Sequence, residues 1–68
     1  MPLKIKKLKA ALIQAGFDMR SGKGSHTFWQ HPNLPEITVT ISGKDGEDAQ
    51  LYQIKDVRNA LRRVGKTL

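Results

Sequence analysis

Apolar residues recur along this chain with two different periods. Over residues 3–15, Ile5, Leu8, Leu12 and Ala15 follow one another at steps of 3, 4 and 3, the spacing of a single helical stripe. Lys4, Lys6, Lys7 and Lys9 fall mostly off that stripe. Pro2 is tolerated in a helix's first turn, and Gly16 directly after Ala15 predicts the stop, because glycine enters the left-handed conformation without a Cβ clash. Past Gly16 the period shortens. Residues 17–20 and 25–31 read as strands separated by the turn Ser21-Gly22-Lys23-Gly24. Residues 36–41 alternate Ile37, Val39 and Ile41 with Thr38 and Thr40, the pattern of a half-buried strand. Between these, His31-Pro32-Asn33-Leu34-Pro35 predicts an interruption, since proline brings no N–H to a ladder. From Leu51 a second helical stripe runs through Ile54, Val57, Leu61 and Val64. Gly65 closes it, and Arg62 and Arg63 suit the negative end of its dipole.

The order is therefore helix, three strands, helix. Short turns between the strands predict an antiparallel meander. Each helix has one apolar stripe and the sheet one apolar face, so the economical arrangement is a two-layer α+β sandwich with both helices on one side. Residues 42–50, with two glycines and three acids, read as a solvated loop. A chain of 68 residues allows one domain, residues 1–68, with a thin core.

Charge narrows the class of partner. Twelve Lys and Arg stand against six Asp and Glu, for a net charge of +6. The distribution is uneven: six cations to one acid in residues 1–30, one to four in residues 31–50, and five to one in residues 51–68. Basic ends flanking an acidic middle point to an acidic partner, nucleic acid first. The absence of cysteine removes disulfides, thiolate zinc sites and a cysteine nucleophile. No apolar run approaches the length of a membrane span, and the basic start leads into no signal-peptide core. The expectation is a soluble cytoplasmic protein that does not engage membranes.

Histidine is the side chain suited to proton transfer near neutral pH, and the chain holds two, His26 and His31. Ser21, Ser25 and Ser42 lie in no nucleophile-elbow sequence, and no HExxH spacing accompanies the histidines. No metal and no cofactor are expected. His26 follows Gly22-Lys23-Gly24-Ser25, where a glycine turn lets backbone amides approach an anionic ligand, with Lys23 and Arg20 adding positive charge. RNA is cleaved when its 2′-hydroxyl loses a proton and attacks the adjacent phosphate, a step that needs a proton acceptor but neither a metal nor a protein nucleophile. The competing reading makes His26 an ordinary hydrogen-bonded strand residue and the glycines a tight β-turn. Alternation groups His26 with Phe28 and Gln30, and Thr27 with Trp29 and His31. With Trp29 as the core anchor, His26 lies on the open face of the sheet; with Phe28 as the anchor, it lines a cleft beside the helices. His31, next to Pro32, reads as a turn residue, solvent-exposed or bonded within the turn rather than catalytic. The N-terminal lysines and Arg58, Arg62 and Arg63 are candidates for phosphate contact.

The run Leu12-Ile13-Gln14-Ala15-Gly16-Phe17, then Arg20, Lys23-Gly24-Ser25-His26 and His31-Pro32, resembles the HicA family of toxin mRNA interferases over roughly residues 5–41. The resemblance implies a double-stranded-RNA-binding-domain-like α-β-β-β-α fold. It implies endoribonuclease activity on mRNA with His26 as the catalytic residue. Around it, Lys23, Gly24 and Ser25 would contact RNA, with Arg20 as an accessory. It also implies a HicB-like antitoxin that binds and occludes the site. The chain departs from the family pattern after the third strand, where an acidic segment replaces a Pro-x-His run. A non-catalytic RNA-binding module on the same fold, and a small subunit serving an acidic protein, are the alternatives.

Overall fold

A computed structural model describes residues 3–68; the expectation for Pro2 lies outside them. The elements are α1 (Ile5–Gln14), β1 (Asp18–Ser21), β2 (Thr27–His31), β3 (Leu34–Ile41) and α2 (Leu51–Arg63). The three strands form an antiparallel sheet in the order β1-β2-β3. This is the α-β-β-β-α, α+β architecture expected from the sequence.

Both helices end as their glycines dictate. Gly16 has φ +93°, its N–H donates to the Ile13 carbonyl, and the N–H of Phe17 donates to Leu12. That pair of bonds is a Schellman motif, with Phe17 buried as its apolar plug. Gly65, at φ +75°, repeats it: the N–H groups of Gly65 and Lys66 donate to Arg62 and Leu61.

The start of α1 is satisfied differently. No side chain caps it. Instead the N–H groups of Ile5 and Lys6 donate to the carbonyls of Glu47 and Asp45, and the Ala49 N–H donates to Leu3. Ion pairs from Lys4 to Asp48 (2.6 Å) and from Lys9 to Asp45 (2.8 Å) add to the contact. The acidic segment, expected to be simply solvated, therefore has exposed side chains but an engaged backbone. It brings carbonyls and negative charge to the positive end of the helix dipole.

Trp29, Val39 and Ile41 fill the core from the sheet; Ile5, Leu8 and Leu12 meet them from α1, and Val57, Ala60 and Leu61 from α2. Trp29 is thus the anchor of the middle strand. Its indole N–H donates to the Thr27 hydroxyl (2.9 Å), which donates in turn to the Ile41 carbonyl. Neither α1 nor α2 covers the opposite face of the sheet.

Several local features differ from the sequence reading. β1 spans Asp18–Ser21 rather than residues 17–20, and β2 begins at Thr27 rather than residue 25, which leaves Ser25 and His26 in the turn. β3 begins at Leu34 rather than residue 36, with Pro35 inside it. An edge position and a register shift at Gln30/His31 leave the missing N–H without consequence. Leu51, counted in the second stripe, is 66% exposed at the first turn of α2. The buried polar position in that helix is Gln53, whose side-chain carbonyl accepts the Ser42 N–H at 3.0 Å.

Candidate functional site

The turn between β1 and β2 is built from backbone outward. Pairing of the strands continues past Ser21 and Thr27 to Gly22, whose N–H donates to the His26 carbonyl at 2.9 Å. The His26 N–H donates to Lys23 (3.1 Å), closing a four-residue turn with Gly24 at φ +59°. Primed turns need a positive φ at that position, and they match the twist of the flanking strands. Among the described residues the N–H groups of Lys23, Gly24 and Ser25 have no partner. Successive free amides of this kind form a concavity suited to an anion.

His26 precedes the first residue of β2 and is exposed. Its Nδ1 lies 3.1 Å from the Lys23 carbonyl. A carbonyl oxygen only accepts, so this contact assigns the hydrogen to Nδ1. In the neutral ring the lone pair then sits on Nε2, which makes no hydrogen bond within the described residues. The same turn fixes the ring and leaves its basic nitrogen open.

Lys23 is exposed on the turn, and Arg20 is exposed on β1 opposite Phe28. Neither forms an ion pair among the described residues. The hydroxyl of Ser25 accepts a hydrogen bond from the Gly43 N–H at 3.1 Å, so this side chain ties the turn to the segment leaving β3. That tie had no signal in the sequence, because its two residues are remote in the chain.

His31 is placed elsewhere. It is buried, its Nε2–H donates to the Ala15 carbonyl (3.1 Å), and its Nδ1 accepts the Asn33 N–H (3.1 Å). Its ring also meets Phe17 edge-on at 5.1 Å. Both nitrogens are occupied. The turn-bonding expectation holds for the Asn33 bond; the solvent-exposed one does not, because the ring is buried between the end of α1 and Phe17. With Trp29 in the core, Phe28 falls on the uncovered face together with Arg20 and Gln30, the first of the two arrangements that alternation allowed. The basic side chains of α1 and α2 belong to the helical layer. They are not gathered with His26 by strand pairing.

Fold and turn together define a class: a small α+β domain, basic at both ends, that presents a histidine on a glycine turn at one end of its sheet. The family model for the HicA toxin of bacterial toxin–antitoxin systems matches residues 5–65, and the chain belongs to that family. It is accordingly the toxin-type member of a toxin–antitoxin pair. A search of curated proteins finds no match. No helix among the described residues is long and apolar enough to cross a membrane.

Proposed function

We propose that this toxin is a metal-independent endoribonuclease acting on mRNA, with His26 as the general base. The observation that carries the reading is the Nδ1 contact to the Lys23 carbonyl, which leaves Nε2 with its lone pair in the open. Nε2 takes the proton of a ribose 2′-hydroxyl. The 2′-oxygen then forms a bond to the adjacent phosphorus as the bond from phosphorus to the 5′-oxygen breaks. The departing oxygen takes its proton from solvent, which reaches this exposed turn. The products are a 2′,3′-cyclic phosphate and a 5′-hydroxyl end.

The free amides of Lys23, Gly24 and Ser25, with the Lys23 ammonium, supply hydrogen bonds and charge to the phosphate, whose negative charge grows during attack. Arg20 stands one strand over and contributes at longer range. A HicB-like antitoxin would silence the toxin by covering the turn, since an exposed base on a loop has no other shield.

The test is incubation of a single-stranded mRNA fragment with the wild-type chain and with His26→Ala, both in excess chelator. Wild type yields fragments with cyclic-phosphate ends, and the variant yields none while binding RNA as before. Unchanged cleavage by His26→Ala overturns the assignment. Salt-dependent binding without any product would instead mark a non-catalytic RNA-binding module.

A further inference from the structure

The uncovered face of the sheet carries an aromatic side chain that the core does not use. Phe28 is 46% exposed. It lies on the middle strand between Arg20 of β1 and Thr40 of β3, its direct cross-strand partners. Gly22 explains how the ring is seated. Its backbone does not take a positive φ, yet a Cβ there would stand 2.4 Å from Phe28 Cε2. The Phe28 ring lies directly over Gly22, in the space a side chain there would take. That same Gly22 donates its N–H to the His26 carbonyl, so the aromatic ring rests against the residue paired with the candidate base.

The surroundings are polar and graded in charge. A groove of about 730 Å³ is lined by Arg20, Phe28, Gln30, Thr38 and Thr40 among others. Arg20 on its lining and Lys23 on the adjoining turn form no ion pair among the described residues. The acids Asp18 and Glu36 belong to the other end. The Gln30 amide nitrogen donates to the Pro35 carbonyl at 2.6 Å, which fixes the amide and leaves its carbonyl as an acceptor on the face.

We propose that this face is a stacking platform for single-stranded RNA, with Phe28 receiving the nucleobase next to the phosphate bound at the turn. The proposal rests on the reading of that turn as an RNA site. Three observations select this occupant. The Phe28 ring in the groove lies against Gly22, whose N–H donates to the His26 carbonyl, so the groove's Phe28 end adjoins the turn, and Arg20 there is complementary to phosphate. Residue 26, which extends the ladder just ahead of β2 through its carbonyl, and residue 28 are two apart in extended chain and stand about 7 Å apart, the scale of one nucleotide step in an extended strand. An exposed ring flanked by a guanidinium accepts any base by its π-face. Bases inside a duplex are already stacked and do not offer theirs. The platform therefore selects unpaired RNA at the cleavage point.

The experiment measures binding apart from cleavage. Fluorescein-labelled single-stranded RNA is titrated by anisotropy with the full chain carrying His26→Ala, and with the same chain carrying Phe28→Leu or Phe28→Tyr in addition. Phe28→Leu should weaken binding about 10-fold and Phe28→Tyr should restore it, the size of one lost base stack. An oligonucleotide with one abasic position should lose the same factor against the parent and nothing further against Phe28→Leu. Duplex RNA of the same sequence should not distinguish them. Equal affinity of parent and Phe28→Leu for single-stranded RNA overturns the platform, as does a loss confined to binding of the antitoxin. Cleavage by chains retaining His26 is scored separately. If it persists with unchanged affinity, the platform fails and the nuclease reading stands. If binding is sensitive to Phe28 and no product forms at all, the platform stands and the nuclease reading fails. No RNA binding by any chain overturns both.

Discussion

The Ser25 hydroxyl and the Gly43 N–H, 3.1 Å apart, join the turn that carries His26 to the segment leaving β3. Gly43 has φ +116° and fits closely over Ile5, since a Cβ on it would stand 3.3 Å from Ile5 Cγ1. The exposed turn is thereby anchored, through one glycine, to the buried start of α1. Ser25→Ala should cost no more than about 1.5 kcal/mol of stability, the worth of one hydrogen bond. Its larger effect should fall on turnover, because a general base displaced by an ångström loses much of its advantage; about a 10-fold or greater fall is expected. Single-turnover cleavage beside a thermal melt checks both. A melt that shifts while cleavage stays intact would remove Ser25 from any positioning role.

The two histidines should separate cleanly in a stability assay. His26 is exposed and bonded to its own turn, so His26→Ala should move the unfolding midpoint little. His31 donates to the end of α1, accepts from the β2–β3 turn and packs on Phe17. His31→Ala removes both bonds and opens a cavity under the helix terminus, for a loss of about 2–4 kcal/mol. Urea denaturation followed by circular dichroism measures the difference. Equal destabilisation by the two variants would contradict the roles assigned to them.

Much of this arrangement was legible in the chain because local periodicity and chain stops carried it. Gly16 and Gly65 marked both helix ends, and the Ile37, Val39, Ile41 alternation marked the central part of β3. The glycine turn before His26 was equally visible. What could not be read was long-range pairing of polar groups. Nothing local distinguishes Gln53 from a solvated helical position, since its partner is the Ser42 amide beyond the helix. The acidic segment looked merely soluble because its task, supplying carbonyls to α1, is performed by backbone, which leaves no signature in side-chain identity. Alternation grouped Phe28 and Trp29 on opposite faces but held no term for which face the helices would cover.

The acidic segment gives a prediction in which charge and structure diverge. Asp45 and Asp48 pair with Lys9 and Lys4 through side chains that are well exposed on the acidic partner, so each pair is worth at most about 1 kcal/mol. The helix start is held chiefly by the Glu47 and Asp45 carbonyls, which amide substitution leaves in place. Asp45→Asn with Asp48→Asn should therefore leave the chain folded, with a loss of at most about 2 kcal/mol. Freed of their partners, Lys4 and Lys9 should raise affinity for RNA, and a plot of log affinity against log salt should steepen if they reach phosphate. An unchanged slope would place the α1 lysines outside the RNA footprint.

Ser42 and Gly43, consecutive residues at the exit of β3, each give their N–H to a side chain, Gln53 from α2 and Ser25 from the turn. Gln53→Met keeps the length of the side chain and removes the acceptor. The Ser42 amide, only partly reached by solvent, is left short of a partner, at a cost of about 1–3 kcal/mol. For a domain of this size each kcal/mol lowers the melting midpoint by roughly 4–8 °C, so the variant is readily measured. Because both bonds hold one short segment, the cycle of Gln53→Met and Ser25→Ala should not be additive: once either anchor is lost, the second substitution should cost less than it does alone, by about 0.5 kcal/mol or more. Strict additivity would mean that the two amides are held independently, and that stiffness of the β3 exit does not reach the turn bearing His26.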